Sequence, residues 1–243
     1  MGNAGLVDLG DGTLVFDTFW APAAARGLAE AAERLGLGPV RIVVNSHWHA
    51  DHVRGNQVFE AATIVSTGRT RELVATRGQE RLAGLVQELE TTEDVPRDVV
   101  AAVVEIELRL PDETFEERRD FGACELLTFG GGHTESDAIL LVGDARVLFA
   151  ADLVVVRSHG WVGDGDVESW LGILERIRGL EFDVVVPGHG PVGTRADLDA
   201  MEGYLRDILE SARGQGADAP LPERYREWDF ADGWGRNLAA LTA

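Results

Sequence analysis

The sequence predicts a layered α/β fold in one domain. Short apolar runs bounded by Gly, Pro or Asp alternate with longer stretches of helical periodicity, and this alternation is typical of sheets packed against helices. The chain has 243 residues, of which 45% are hydrophobic, so it can bury a substantial core. We therefore expect one domain over residues 1–243.

Local sequence signals predict the first elements. The run from Gly10 to Gly12 suits a tight hairpin turn, because glycine adopts the positive φ that such turns require. A helix is expected from Pro22 to about Leu35, since Pro favours the first helical turn and Gly36 favours its end. The strands expected in this part of the chain are Gly5–Leu9, Thr13–Asp17, Val40–Asn45 and Thr63–Ser66.

A charged helical insertion is expected at about 69–109, with an interruption near 91–96. It is either a lid or a surface helical pair that connects two halves of a sheet. Further helices are expected at about Val167–Arg178, which Asp166 would cap, and at about Arg195–Ala212. The later strands are expected at Thr114–Glu117, Cys124–Phe129, Ala138–Val142, Arg146–Ala150 and Asp183–Val186.

The composition disfavours several classes of partner. The formal net charge is −20, from 42 acidic and 22 basic residues, so the surface should repel nucleic acid and anionic membranes. No apolar run reaches the roughly 18 residues of a membrane span, and no basic stretch precedes an apolar signal core, so a cytoplasmic location is expected. The lone Cys124 can form no internal disulfide, which agrees with a reducing compartment. A small molecule is the expected partner.

Three of the six histidines lie within one short run, at His47, His49 and His52, with Asp51 among them. If the preceding strand continues extended into this run, alternation places His47 and His49 on one face, where both can bind one ion. His52 directly follows Asp51 and does not easily share that geometry. The four groups therefore divide more naturally between two neighbouring ions, and the run suggests a dinuclear metal site.

Three more potential ligands follow predicted strands further along the chain. His133 comes after a strand and three glycines, Asp152 after Val147–Ala151, and His189 after a strand and Pro187-Gly188. In open α/β sheets ligands gather at the loops that leave the strand ends. The four strand ends are therefore expected to form one convergent site.

The complete set of candidate ligands resembles the metal-binding motif of the metallo-β-lactamase superfamily. All seven positions of that motif are filled, by His47, His49, Asp51, His52, His133, Asp152 and His189. The likeness extends from about Val7 to about Gly190. It includes Asp17-Thr18, where the family has Asp-Thr-Gly, with Phe19 in place of the glycine.

The resemblance implies a fold, a ligand assignment and a chemistry. The implied fold is a four-layer αββα sandwich of two mixed β-sheets flanked by helices. The implied ligands are His47, His49 and His133 for one ion, Asp51, His52 and His189 for the other, and Asp152 as a bridge. Two zinc ions are expected, or alternatively iron or manganese.

The expected reaction is hydrolysis of a small organic ester, lactone, thioester or related bond. Ions about 3.5–4 Å apart can share a water whose pKa falls to about neutrality, which gives a hydroxide nucleophile. Asp51 is then both a ligand and the best candidate to orient this water or to move its proton.

The resemblance leaves other reactions open. The first alternative is a mononuclear iron-dependent sulfur oxygenase of the same fold, and the second is a phosphodiesterase or a weak β-lactamase. True zinc β-lactamases usually lack an Asp where Asp152 stands, which disfavours strong β-lactam hydrolysis. A metal-binding module without catalysis would need a closed coordination shell, whereas seven ligands for two ions leave open positions.

Residues beside the ligand loops have less specific interpretations. Trp20, Trp48 and Trp161 are predicted to line the substrate pocket, which would favour a partly apolar organic substrate. Asp17 would either hold a histidine ring by a hydrogen bond or simply end a strand. His159 has no ligand spacing around it and is interpreted as a loop residue.

Overall fold

The computed structural model describes residues 2–243, which form two compact units. The first unit comprises the described residues up to Glu116 together with Phe121–Ala123. The second comprises Glu117–Asp120 and Cys124–Ala243. Each unit contains one mixed sheet and its own helices, so the predicted α/β fold with two mixed sheets flanked by helices is confirmed.

The sheet of the first unit has five strands in sequential order. They are β1 (Gly5–Asp8), β2 (Thr13–Phe16), β3 (Val40–Val44), β4 (Thr63–Thr67) and β5 (Glu113–Phe115). β1 and β2 form the expected antiparallel hairpin, and β2 to β5 pair in parallel. Val43 and Ile64 are fully buried at the centre of this sheet, in one hydrophobic cluster with Ala25 of the helix that follows β2.

The helices of the first unit follow from local signals. They are α1 (Pro22–Arg34), α2 (Ala50–Val53), α3 (Gly68–Leu73), α4 (Gln79–Thr91) and α5 (Arg97–Val104), and a π-helical turn (Val74–Gly78) joins α3 to α4. α1 begins at Pro22 and ends just before Gly36, which has a φ of +69°. The helical insertion ends at Val104 and does not reach Arg109.

The sheet of the second unit has six strands. They are β6 (Arg118–Asp120), β7 (Glu125–Thr128), β8 (Ala138–Val142), β9 (Val147–Val155), β10 (Val184–His189) and β11 (Gly193–Thr194). β9 and β10 pair in parallel, and the other neighbours pair antiparallel. The edge strand β6 has no counterpart among the strands expected from the sequence, because its residues, Arg118 to Asp120, are all charged.

Three helices complete the second unit: α6 (Val167–Arg178), α7 (Ala196–Gln215) and α8 (Gly233–Thr242). Trp170 of α6 and Tyr204 of α7 are fully buried in one continuous hydrophobic core with residues of β8, β9 and β10. α8 was not expected from the sequence. Among the described residues no helix is long and apolar enough to cross a membrane.

The cap of α6 provides a first test of the fold. Asp166 accepts a hydrogen bond from the Ser169 backbone N–H at 2.7 Å, as expected for a helix N-cap. Asp166→Ala should therefore lower the free energy of unfolding by about 1 kcal/mol in urea titrations. Glu33→Ala, at an exposed position of α1, is the control and should change it by less than about 0.5 kcal/mol. Equal effects of the two substitutions would contradict the capping role.

Candidate metal centre

The first histidines lie in the loop after β3. That strand ends at Val44, and His47 and His49 lie in irregular backbone before α2, so the expectation that the strand continues through this run is wrong. The two buried rings still meet edge to face, with centroids 4.8 Å apart. The shape of the loop, and not strand alternation, brings them together.

Asp51 and His52 lie on α2, the single helical turn that follows. Oδ2 of Asp51 lies 3.8 Å from Nε2 of His52. The His52 ring is fully buried, and its centroid is 4.2 Å from that of His47. The Asp51 side chain is 26% exposed, whereas the three histidines of this run are buried.

Asp17 fixes the orientation of two of these histidines. Its Oδ1 accepts the Ser46 backbone N–H at 2.8 Å, and its Oδ2 accepts the Ser46 hydroxyl and the His52 Nδ1–H, each at 2.7 Å. Because the Ser46 hydroxyl donates to Asp17, its oxygen accepts from Nδ1 of His47, which lies 2.9 Å away. Both rings then carry their proton on Nδ1, so Nε2 is the unprotonated nitrogen, the form in which a histidine can bind a metal.

Asp17 makes these hydrogen bonds from an energetically unfavourable position. The side chain is fully buried, with a left-handed φ of +61°. Burial raises the pKa of its carboxyl group, and this is only partly opposed by His52 and by the hydrogen bonds from Ser46. Of its two sequence interpretations, the structure supports the one in which Asp17 holds a histidine ring. Ser46 was missed, although a hydroxyl directly before the histidine run is a signal that could have identified it.

Asp17→Asn should weaken metal binding without removing a ligand. An amide can present only one acceptor oxygen in place of the two that Ser46 and His52 use, so both rings lose part of their support. We expect the metal dissociation constant to rise by roughly 10- to 100-fold, measured by competition with a chromophoric chelator. Asp8→Asn, in the exposed part of β1, is the matched control. An unchanged constant for Asp17→Asn would refute the orienting role.

The second unit contains its own cluster of a carboxylate and two imidazoles. Oδ2 of Asp152 lies 3.3 Å from Nε2 of His133 and 3.3 Å from Nε2 of His189. The His133 side chain is fully buried, and its Nδ1 donates to the backbone carbonyl of Trp161 at 3.0 Å. This bond again leaves Nε2 as the atom that faces the carboxylate.

Irregular backbone in β9 and β10 aims Asp152 and His189. β9 continues to Val155, so Asp152 lies within the strand, and the expectation that it follows the strand is wrong. Ala151 has a φ of +46°, and the register between β9 and β10 shifts at Pro187. Such irregularities re-aim side chains beside functional sites. His189 is the last residue of β10 and not part of the following loop.

The His133 loop is held by a carboxylate that the sequence did not single out. Asp137 accepts backbone N–H bonds from Gly132 at 2.8 Å and from Thr134 at 3.1 Å. Gly131 must lack a Cβ, because one there would lie 2.4 Å from the backbone of Glu135. An Asp shortly after a glycine run is a weak turn signal, which is why it escaped notice.

The three tryptophans have different surroundings. Trp48 is only 1% exposed and packs in a hydrophobic cluster with Leu73 and Val74. Trp20 is half-buried against the cluster formed by the insertion helices. Trp161 is half-buried, and its indole N–H donates to Asp164 at 2.8 Å. A role of any of them in lining a substrate pocket stays a prediction.

His159 and Phe230 also lie in the second unit, and only Phe230 contacts a member of the Asp152 cluster. His159 is indeed a loop residue, but it is buried against the rings of Tyr204 and Trp228. Phe230 was missed by sequence reasoning: its ring meets His189 edge to face at 5.6 Å, and the residue is 50% exposed. Nothing in the sequence around Phe230 indicates this contact, since it depends on how the C-terminal segment packs.

The donor atoms of each unit fit divalent metal ions. In the first unit the ligand atoms of His47 and His49 lie within 4.8 Å of one another, and in the second unit the same holds for His133 and Asp152. Imidazole nitrogen and carboxylate oxygen are the donors that zinc and related ions prefer. Nδ1 is engaged in His47, His52 and His133, as is usual for histidines that bind metal through Nε2.

Known proteins resemble this chain over most of its length. A metallo-beta-lactamase type 2 from Bacillus cereus is 26% identical over 81% of this chain and 70% of its own length. The alpha subunit of a 2,4-dinitroanisole O-demethylase from Nocardioides is 27% identical over 73% of this chain, which spans only 49% of that protein. The crystal structure of a metallo-beta-lactamase from Hirschia baltica matches with a TM-score of 0.68 at 18% identity, over 84% of this chain and 85% of the other.

The last of these likenesses concerns the fold alone, because the identity is low. The family itself is established by a sequence model described as the metallo-beta-lactamase superfamily, which matches residues 1–189. That range contains every candidate ligand, from His47 to His189. The chain belongs to the metallo-beta-lactamase superfamily.

Proposed function

We propose that the protein is a dinuclear-metal hydrolase that cleaves a small organic ester, lactone, thioester or related bond. Members of its superfamily are mostly metal-dependent hydrolases. The observation that carries the proposal is the position of Asp152, one carboxylate oxygen of which lies 3.3 Å from the imidazoles of both His133 and His189. A carboxylate shared between two ligands is suited to bridge two ions.

The proposed ligands are those that the family implies. In that assignment His47, His49 and His133 would hold one ion, Asp51, His52 and His189 would hold the other, and Asp152 would be a ligand of both. Zinc is the proposed metal, because these are its preferred donors. Bound metal would supply a water of lowered pKa and a Lewis acid for the substrate oxygen.

Other side chains would orient the ligands and the reacting water. Asp17 and Ser46 hold the rings of His52 and His47 and fix their protons on Nδ1. Asp51 is the proposed catalytic residue, because its carboxylate is partly exposed and lies beside His52. It can orient a water or accept its proton. The Trp161 carbonyl and Asp137 hold His133 and its loop in place.

The position of Phe230 favours a substrate that has an apolar portion. Its half-exposed ring lies against His189, so a substrate held at this ligand would meet an aromatic surface. Aromatic side chains favour apolar and planar groups. The proposed partner is therefore a small, partly apolar organic molecule.

Elemental analysis with a substrate screen tests the proposal. Freshly purified protein should contain about two zinc ions per chain and should hydrolyse at least one substrate among lactones, thioesters, phosphodiesters and β-lactams. A chelator should abolish the activity, and added zinc should restore it. One iron per chain with no hydrolysis of any of these substrates would overturn the proposal.

A further inference from the structure

A short turn of the C-terminal segment places an aromatic ring beside a candidate metal ligand. This 230–233 turn is closed by a hydrogen bond from the Gly233 backbone N–H to the Phe230 carbonyl, at 2.7 Å. The Phe230 ring meets His189 edge to face at 5.6 Å, and the residue is half-exposed. Phe230 has a left-handed φ of +61°, which a residue other than glycine keeps only where the surrounding structure imposes it.

The residue before the turn is paired with the loop that follows β9. The backbone N–H of Asp229 donates to the Arg157 carbonyl at 2.9 Å, and the Asp229 carbonyl accepts the His159 backbone N–H at 3.2 Å. Asp229 and Ser158 thereby form a single parallel β-bridge. Since β9 is the strand that carries Asp152, this pairing ties the start of the turn to the strand of a candidate ligand.

The buried side chain of His159 packs against the segment on both sides of Phe230. Its ring centroid lies 5.8 Å from that of Trp228, two residues before Phe230. At the end of the turn, a Cβ on Gly233 would lie only 2.4 Å from Cβ of His159, so the backbone of Gly233 lies directly on this side chain. Nδ1 of His159 lies 3.1 Å from the hydroxyl of Tyr204 in α7, which fixes the ring to the core of the unit.

We propose that Phe230 binds an aromatic group of the substrate and that His159 is the positioning residue that holds Phe230 beside His189. The inference rests on the proposed function, because it takes His189 as a ligand of the metal at which the substrate reacts. Aromatic rings pair edge to face or offset-stacked. Half of Phe230 stays exposed after its contact with His189, so a second ring can pack on it. The favoured substrate carries an aryl group close to the bond that is cleaved.

Chymotrypsin tests the anchoring of the turn without any need for activity. This protease cleaves after phenylalanine once the local backbone opens, so its rate reports the population of the open turn. Gly233→Ala places a methyl group against His159 and should speed cleavage after Phe230 by at least about tenfold. Gly235→Ala lies in the same helix, where a Cβ would meet nothing within 4 Å, and should be cleaved at the wild-type rate. Equal rates for the two variants would overturn the anchoring.

Substitutions of His159 distinguish positioning from a general loss of stability. Burial lowers the pKa of His159, so the ring is uncharged at neutral pH and a phenylalanine ring can take its place. His159→Ala should speed cleavage after Phe230, and His159→Phe should restore the protection. Ile177→Val, at a fully buried position of α6, lowers stability elsewhere and should leave the rate unchanged. No rescue by His159→Phe would refute the positioning role. Should His159→Ala fail to fold, the two glycine variants still decide the anchoring.

Calorimetric titration with phenylacetate and acetate tests the binding role of Phe230. Both probes offer a carboxylate to the metal-loaded protein, but only phenylacetate has a ring to pack on Phe230. The wild type should bind phenylacetate roughly three- to tenfold more tightly than acetate, the gain expected from an aromatic pair. Phe230→Ala should lose this preference, and His159→Phe should keep it. Leu35→Ala, which removes another exposed apolar side chain, is the control. Retention of the preference by Phe230→Ala, or its absence in the wild type, would overturn the proposal.

A pair of esters separates this inference from the proposed function. Phe230→Ala should raise KM for methyl phenylacetate by roughly three- to tenfold with kcat unchanged, because it removes binding that ground state and transition state share. The KM for methyl acetate should not change. If neither ester is hydrolysed, the proposed function is weakened, but the chymotrypsin rates and the two titrations still decide whether Phe230 is anchored and whether it binds an aromatic ring.

Discussion

Replacing Asp152 with alanine is expected to abolish stable metal loading and to reduce metal-dependent hydrolysis by roughly a thousandfold or more. Metal ions contribute several kcal/mol to such reactions, and about 1.4 kcal/mol corresponds to a factor of ten. Asp152 supplies the oxygen that lies 3.3 Å from both His133 and His189. Without it, the two imidazoles lose the anion that offsets the charge of bound metal. Elemental analysis and a chelator-sensitive rate measure the effect.

The matched control for this substitution is Asp144→Ala. Asp144 is an exposed carboxylate between β8 and β9 in the same unit, so the control changes the net charge equally without touching the cluster. It should keep the metal content and rate of the wild type. If Asp152→Ala retained two metal ions and full turnover, the bridging role would be refuted. A variant that loses metal but melts near the wild-type temperature would show that the loss is local.

Elements with strong local signals were predicted almost residue by residue. α6 spans Val167–Arg178 and β8 spans Ala138–Val142, the bounds expected from the sequence. In both cases the information is local: Asp166 caps the helix, and an uninterrupted apolar run forms the strand. The hairpin of β1 and β2 has the same origin, since Gly10 has a φ of +84° and glycine adopts this conformation without strain.

The backbone around the candidate ligands could not be predicted in the same way. The positions of Asp152 and His189 depend on a register shift between β9 and β10, and strand register is a property of two distant segments. Ala151 has a left-handed φ although it is not glycine. Such a conformation persists only where the surrounding structure imposes it. The candidate ligands were chosen from residue type and spacing, whereas their geometry could be described only from the fold.

The structure of the C-terminal segment was still harder to predict from local sequence. Its content of Trp, Gly and acidic residues resembles a tail, yet α8 forms there and Trp234 is buried. Asn237 of α8 donates to the Gly160 carbonyl and to the Tyr204 hydroxyl. The helix therefore depends on contacts with segments more than thirty residues away. The position of Phe230 beside His189 follows from this packing and from no local signal.

Gly188→Ala is expected to disrupt the cluster without changing any ligand. Gly188 lies in β10, and a Cβ at this position would lie 1.8 Å from Oδ1 of Asp152 and 2.6 Å from the backbone carbon of Ala151. Real side chains do not approach so closely, so the strand or the carboxylate must move. We expect the free energy of unfolding to fall by about 3 kcal/mol, the upper range for overpacking a buried site. The metal content should fall as well.

Gly172→Ala provides a control of the same chemistry. Gly172 lies within α6 of the same unit, and a Cβ there would meet nothing within 4 Å. Alanine in a helix interior is more favourable than glycine by roughly 0.5–1 kcal/mol, so this variant should unfold at higher urea concentration than the wild type. The free energy of unfolding should therefore fall in Gly188→Ala and rise in Gly172→Ala. This result would show that the close approach of β10 to Asp152, and not the added methyl group itself, causes the loss of stability. If Gly188→Ala kept both its stability and its metal, the close contact between β9 and β10 would not be needed to place Asp152.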